Sequence, residues 1–234
     1  MRTTRTTVAV LGAAALLCAA ALSGCSSGSG SGADSGGDSG GVGGGGSGSA
    51  GSGPEWGPAD QGLLTWNYDP SAAGATWNPT ARTNGYLFLT AVLLRAPATL
   101  THVLYGLSGA QTSGLTPGEN VIGLYDSRGA LVARTGDQTA IWSSTARQKV
   151  NRVAWEKPYR AAAGRYYVVF LYNGVTSGLN FKASGAGATA NAGAPAGRMR
   201  YSMIRSDSTA LPGTLPLGRQ TTPLPFNSQW IGLD

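Results

Sequence analysis

The stretch Arg165-Tyr-Tyr-Val-Val-Phe-Leu-Tyr172 decides the fold class of this chain. Aromatic and β-branched residues favour extended backbone because their side chains pack well on a pleated surface. Successive side chains of a strand point to opposite faces, and in this stretch both sets are apolar. The pattern therefore predicts a central strand that packs against a second sheet.

Other runs with strand-like composition surround this one, and turn signals separate them. Asp126-Ser-Arg-Gly129 is such a signal, so the runs Val121 to Tyr125 and Ala130 to Thr135 are expected to form a hairpin. Short strands separated by turns are typical of sandwiches and jelly rolls. We predict an all-β fold, a two-sheet, jelly-roll-like β-sandwich, in a single domain over residues 54–234. The remaining predicted strands are Tyr86 to Arg95, Leu100 to Leu107 and Arg198 to Ile204.

One segment has two interpretations. Apolar residues recur at helical spacing between Ile141 and Val153, which favours a short helix. Ser143-Ser-Thr145 caps a helix as readily as it begins a loop. We favour a loop followed by a strand and keep the helix as the alternative.

The N-terminal residues have the parts of an export signal in the expected order. Arg2 and Arg5 precede a charge-free apolar run from Val8 to Leu22. That run is shorter than the roughly 20 residues that cross a bilayer as a helix. Leu22-Ser-Gly-Cys25 closes it as a lipobox, so we predict a lipoprotein signal peptide over residues 1–24 and lipidation at Cys25. A retained membrane helix and cleavage without lipidation are the alternatives.

The residues after Cys25 predict a flexible tether. Of the 28 residues from 26 to 53, 23 are Gly or Ser, so the segment has no apolar surface to bury and is expected to be a disordered linker. Cys18, the other cysteine of the chain, lies in the apolar run and is expected to be removed with the signal peptide. The mature chain would then have one cysteine and no internal disulfide. We expect an exported protein on the outer face of the cell membrane, whose contact with the membrane is the lipid anchor at Cys25.

Several short sequence motifs of the predicted domain are characteristic in their order and spacing: Gly62-Leu-Leu-Thr-Trp-Asn-Tyr-Asp-Pro70, Arg95-Ala-Pro-Ala-Thr99, Gly123-Leu-Tyr-Asp-Ser127 and Ala163-Gly-Arg-Tyr-Tyr-Val168. Over residues 61–234 the chain resembles a β-sandwich domain of minor tail and tail-fibre-type structural proteins of actinobacterial phages. The resemblance implies a module for assembly or surface attachment and carries over no catalytic residue. The lipobox departs from it, because a virion protein assembled in the cytoplasm has no use for an export signal.

The tryptophans are the strongest indication of a binding function. Most of the six fall at the ends of predicted segments or in loops. An exposed flat ring can stack on the C–H face of a sugar while nearby Asn, Gln and Arg bind its hydroxyl groups. We therefore predict a glycan-binding face, with Trp142, its neighbour Gln138, and Trp66 as its residues. The alternative is that these rings fill the core of the sandwich, where large aromatic side chains dominate packing.

Residue combinations typical of enzymes are scarce. His102 is the single histidine and lies in a strand-like run, and no Gly-x-Ser-x-Gly phrase accompanies it. The Cys and His cluster that zinc prefers is missing, and we predict no cofactor, no metal site and no enzymatic activity. Asp126 and Asp137 are expected to stabilise turns. The alternative is that two such carboxylates hydrolyse cell-wall glycan.

The charge balance is positive, with a net charge of +6 for the whole chain. Residues 54–234 carry fifteen Lys and Arg against nine Asp and Glu, and the arginines are spread along the chain rather than clustered. Such a surplus attracts anionic wall polymers or lipid headgroups over long range. Without a recognised motif or a basic run, we predict no nucleic-acid partner.

Taken together, the residues predict a non-enzymatic, lipid-anchored surface protein whose β-sandwich binds a glycan or another surface component. The first alternative is a structural module of phage-tail type that self-associates or binds a protein partner. The second is the cell-wall glycan hydrolase.

Overall fold

The run from Arg165 to Tyr172 forms the central strand of a five-stranded antiparallel sheet, which packs against a second antiparallel sheet of seven strands. The chain is thus an all-β, two-sheet sandwich, as predicted. The computed structural model describes residues 56–185, 187–222 and 227–234. The predicted signal peptide, Cys25 and the tether lie outside the described residues. The described residues belong to one unit, Ser52–Asp234.

Twelve strands are present in the described residues, and the predicted strands are among them with bounds shifted by a few residues. They are β1 Thr65–Trp66, β2 Ala75–Trp77, β3 Leu87–Leu94, β4 Ala98–Gly109, β5 Val121–Tyr125, β6 Leu131–Arg134, β7 Val150–Ala161, β8 Gly164–Leu171, β9 Asn180–Ser184, β10 Tyr201–Ile204, β11 Ser228–Gln229 and β12 Ile231–Leu233.

The helical elements are short. One α-helical turn, α1, spans Thr139–Trp142. The 3-10 turns span Pro58–Gln61, Pro70–Ala72, Ala81–Thr83, Thr145–Arg147, Gly187–Asn191 and Leu217–Arg219.

The segment from Ile141 to Val153, for which the sequence allows either a short helix or a loop followed by a strand, contains short helical turns and the start of a strand. It holds the end of α1 and the turn at Thr145–Arg147, and β7 begins at Val150. The continuous helix over Ile141 to Val153 does not form, because the second half of that segment pairs with β4 as a strand.

The five-stranded sheet has the order β10-β3-β8-β5-β6. Its β5–β6 hairpin is confirmed, and Asp126 closes the turn by accepting hydrogen bonds from the backbone N–H groups of Arg128 and Ala130, both at 2.9 Å. Gly129 completes the turn with a φ of 87°, which a glycine adopts without steric cost.

In the seven-stranded sheet, β1-β12-β4-β9-β11 are neighbours, β7 pairs with β4, and β2 pairs with β9. β4 is the long strand that joins the two halves, since it contacts β7, β9 and β12.

Both faces of β8 are buried, by different partners. Val168 and Phe170 point into the aromatic core between the sheets. Val169 and Leu171 point outward into a second apolar cluster, which is covered by Leu215 of the irregular segment after β10. The doubly apolar pattern of β8 therefore comes from one sheet and one long loop.

Candidate functional site

Trp142 and Gln138, two of the three predicted ligand-binding residues, are buried at 0% and 2% exposure. The Trp142 indole Nε1–H donates to the Tyr105 hydroxyl at 3.0 Å, and that hydroxyl donates to Gln138 Oε1 at 3.1 Å. The ring itself packs against Phe170 at a centroid distance of 6.2 Å. The prediction that Trp142 offers an exposed face for stacking is wrong, because α1 directs this ring into the core.

Trp66, the third predicted residue, is half-buried and lines a surface cleft of about 400 Å³. Burial alternates along this part of the chain as a strand requires. Leu63, Thr65 and Asn67 are buried, whereas Leu64, Trp66 and Tyr68 are at least partly exposed. Trp66 and Tyr68 therefore line the cleft from the same face of the segment that contains β1.

The cleft opens where an edge strand of one sheet passes an uncovered edge of the other. β10 pairs with β3 only as far as the Tyr201–Thr90 pair, so the end of β3 has no strand beside it on that edge. β1 of the other sheet approaches there, and the Thr65 hydroxyl donates to the Leu93 carbonyl at 2.8 Å. The lining residues that carry polar or aromatic chemistry are Trp66, Asn67, Tyr68, Arg95, Arg165 and Arg200.

Hydrogen bonds hold the Trp66 wall in a fixed position. Asn67 Nδ2 donates to the Gln229 carbonyl at 2.6 Å, and its Oδ1 accepts from the Ile231 N–H at 2.9 Å. The Tyr68 hydroxyl donates to the Ser228 carbonyl at 2.9 Å. Burial raises the pKa of this hydroxyl well above its ordinary value, so it remains a neutral donor. Asn67 and Tyr68, the two residues after Trp66, are thus anchored to the C-terminal strands.

The cleft also has cationic lining residues. Arg200 donates through Nη2 to the Asn67 carbonyl at 2.7 Å, which holds its guanidinium beside the Trp66 segment. Arg95 and Arg165 lie on the neighbouring strands, at the end of β3 and the start of β8. No carboxylate lines the cleft within the described residues.

His102 lies in a polar cluster that lacks the geometry of a catalytic triad. Its Nδ1 is 2.8 Å from the Thr101 hydroxyl and 2.9 Å from Asp234 Oδ1. A proton relay places the nucleophile and the carboxylate on opposite ring nitrogens, whereas here both contact the same one. The cluster fastens the chain after β12 to β4, since the backbone N–H of Thr101 also donates to the Asp234 carbonyl.

Asp126 and Asp137 stabilise turns, as predicted. Asp126 caps the β5–β6 hairpin, and Asp137 Oδ1 accepts from the Thr139 N–H at 3.2 Å and the Thr139 hydroxyl at 2.8 Å. Neither residue lines the Trp66 cleft. In the described part of the chain, no three His, Cys, Asp or Glu side chains are grouped so that they could hold a metal ion.

Of the residues that line the cleft, Trp66 is among the predicted ligand-binding residues, whereas the three arginines are not. The alternation of Leu64, Trp66 and Tyr68 was the available signal for the aromatic wall. Nothing comparable exists for Arg95 and Arg165, because their proximity depends on the antiparallel pairing of β3 with β8, in which Leu93 lies opposite Arg165.

Among the described residues, none of the helices combines the length and the apolar character needed to cross a membrane. Comparison with protein-family models and with curated proteins gave no match to this chain.

Proposed function

We propose that this chain is a non-enzymatic, lipid-anchored surface protein whose β-sandwich binds a glycan or a similar surface component in the Trp66 cleft. The observation that carries the proposal is the cleft itself. Trp66, which is half-buried, and Tyr68 line a concave surface of about 400 Å³ together with three arginines.

The shape and lining of the cleft suit a ligand that is both flat and polar. Binding sites for small ligands are concave, with aromatic walls and a few placed polar groups that fix orientation. Trp66 supplies an aromatic ring with an apolar face, while the arginines supply hydrogen-bond donors near it. A sugar ring presents both an apolar C–H face, which suits Trp66, and hydroxyl groups, which suit the arginines.

Fixed walls also favour binding. A site that is already ordered loses less conformational freedom when the ligand arrives. The bonds from Asn67 to Gln229 and Ile231 order the Trp66 segment in this way.

The first test is a binding assay with the full-length chain purified in detergent, on a glycan array and on an isolated cell-wall fraction. We expect Trp66→Ala to weaken binding at least about tenfold, because stacking on an aromatic ring contributes on the order of 1 kcal/mol beyond the buried area. Trp66→Tyr should retain most of the binding, since it keeps a flat ring.

Trp56→Ala is the matched control. Trp56 is 68% exposed and lies against a different surface, formed with Gln61 and Asp69. Its loss should leave binding unchanged. Failure of the wild-type chain to bind any glycan or wall fraction contradicts the proposal, and so does equal weakening by Trp56→Ala and Trp66→Ala.

A further inference from the structure

The Trp66 cleft continues into two smaller depressions. One of about 150 Å³ shares Asn67, Tyr68 and Arg200 with it. Another of about 330 Å³ shares Leu93 and Arg165 with it and adds Arg198. The three together form an extended surface, which we call the arginine groove. A surface of this form suits a chain of several sugar units better than a single one.

The arginine groove has one sign of charge. Arg95, Arg165, Arg198 and Arg200 line it, and no Asp or Glu among the described residues does. The ion pairs of the described residues involve other basic residues, namely His102, Arg134 and Arg152. The four groove arginines therefore have no carboxylate partner there.

Backbone carbonyl groups, rather than carboxylates, hold two of these side chains. Arg165 Nη1 donates to the Arg198 carbonyl at 3.1 Å, and Arg200 Nη2 donates to the Asn67 carbonyl at 2.7 Å. A guanidinium has five N–H donors, so one such bond orients the group and leaves the other donors available. The positive charge of each group is not neutralised by this contact.

A buried asparagine fixes the base of Arg200. Asn191 Oδ1 accepts from the backbone N–H of Arg200 at 2.7 Å and from that of Tyr201 at 2.9 Å, and its Nδ2 donates to the Tyr201 carbonyl at 2.7 Å. Arg200 is thus held at the start of β10, next to the Trp66 wall. Its guanidinium is bonded to the residue that follows Trp66, so both side chains line the same cleft.

Grouping like charges without counter-charges in a groove raises their mutual repulsion and focuses a positive potential into the groove. An anion that binds there relieves the repulsion, and planar guanidinium groups match the two oxygens of a carboxylate or phosphate. The ligand chemistry that satisfies the groove thus combines anionic groups with a flat ring.

We infer that the arginine groove binds an anionic saccharide chain, with a sugar ring on Trp66 and its carboxylate or phosphate groups on Arg165 and Arg200. This inference rests on the proposed function and specifies the class of glycan that the site takes.

The test compares charged and uncharged versions of the same saccharide, using the full-length chain in detergent and isothermal titration calorimetry. The carboxylate pair is a galacturonic acid hexamer and its methyl ester, and the phosphate pair is phosphorylated maltohexaose and maltohexaose. We expect at least one charged form to bind about tenfold or more tightly than its uncharged counterpart, because hydrogen bonds between charged groups are stronger than those to neutral groups. That preference should shrink as salt is added, because salt screens exposed charges.

Arg200→Gln and Arg165→Gln should each remove most of the preference for the charged form. Arg165→Lys should recover only part of it, because lysine keeps the charge and loses the planar pair of donors. Arg160→Gln is the control, since Arg160 is an exposed arginine of β7 that lines none of the three depressions.

The outcomes separate this inference from the function on which it rests. Equal affinity for charged and uncharged forms, with Trp66→Ala weakening both, overturns the anionic ligand and leaves glycan binding intact. Absence of binding to all four saccharides overturns the inference, while the cell-wall assay above decides the function separately. Equally tight binding of single-stranded DNA or of anionic lipid vesicles also overturns it, because the groove would then select charge alone.

Discussion

At the scale of single residues, the Tyr105 hydroxyl joins two side chains that are enclosed by the core. It accepts from the Trp142 indole and donates to Gln138 Oε1, so each of the three buried polar groups has a partner. Burial raises the pKa of Tyr105 well above its ordinary value, and the hydroxyl therefore remains protonated and able to donate. A buried polar group without a hydrogen-bond partner lowers the stability of the fold. The hydrogen bonds from Trp142 to Tyr105 and from Tyr105 to Gln138 therefore have a structural role.

We expect Tyr105→Phe to lower the free energy of unfolding by about 1–3 kcal/mol, because it leaves the Trp142 N–H and Gln138 Oε1 without the bonds they make to this hydroxyl. Urea unfolding followed by tryptophan fluorescence measures the change. Tyr86→Phe is the control: Tyr86 is half-buried, makes no side-chain hydrogen bond recorded in the described residues, and should change stability by less than about 0.5 kcal/mol. Equal stability of the two variants would contradict the role given to Tyr105.

At the scale of elements, the contact between β12 and β4 is reinforced by the polar cluster at its end. Asp234 accepts from Arg152 and Thr101 and contacts His102, while its carbonyl accepts from the backbone of β4. Partial burial acts to raise the pKa of Asp234, but the hydrogen bonds from Arg152, Thr101 and His102 outweigh it and lower the pKa below its ordinary value. β12 also pairs with β1, so this fastening supports the Trp66 wall of the cleft.

The lowered pKa of Asp234 sets the direction of a pH dependence. Its contribution to stability is present above the ordinary aspartate pKa of about 3.9 and is lost as the pH falls through the lowered value. We therefore expect the wild-type chain to be more stable than Asp234→Asn near neutral pH, and the difference to disappear in strong acid. Urea midpoints measured between about pH 7 and pH 1 follow this difference. A difference that stays constant with pH would show that the ionised carboxylate is not what stabilises the contact.

At the scale of the whole molecule, the sandwich gathers charges that the chain keeps apart. Arg95 directly follows β3, Arg165 lies in β8 and Arg200 directly precedes β10, and these three strands are neighbours in one sheet. A cluster of three arginines therefore forms at one edge of the fold. There it meets the aromatic wall formed by β1 of the other sheet.

The proposed anchor is also a property of the whole chain. We expect Cys25→Ser to move the protein from the membrane fraction to the soluble exported fraction and to abolish labelling by a radioactive fatty acid. The physical reason is that two or three acyl chains, at about 0.8 kcal/mol per buried methylene, hold a protein that one chain holds only marginally. Cys18→Ser is the control and should change neither result, because Cys18 lies in the segment predicted to be removed. Unchanged membrane retention and labelling in Cys25→Ser would disprove the anchor.

Local pattern predicted much of the fold. The doubly apolar run of β8 and the turn at Asp126 to Gly129 each depend on a few adjacent residues, and both are present in the structure. The contact that buries the outer face of β8 could not be predicted in this way. It comes from Leu215 in an irregular segment far along the chain, and no local period marks that contact.

The sequence by itself determined the strands, the hairpin turn and the all-β class, because these depend on the backbone preferences and side-chain alternation of neighbouring residues. Only the tertiary structure decided that Trp142 is a core residue while Trp66 lines a cleft, and that dispersed arginines share one groove. Exposure and proximity depend on which strands pair and which sheet faces which, and those contacts join residues that are distant in the chain.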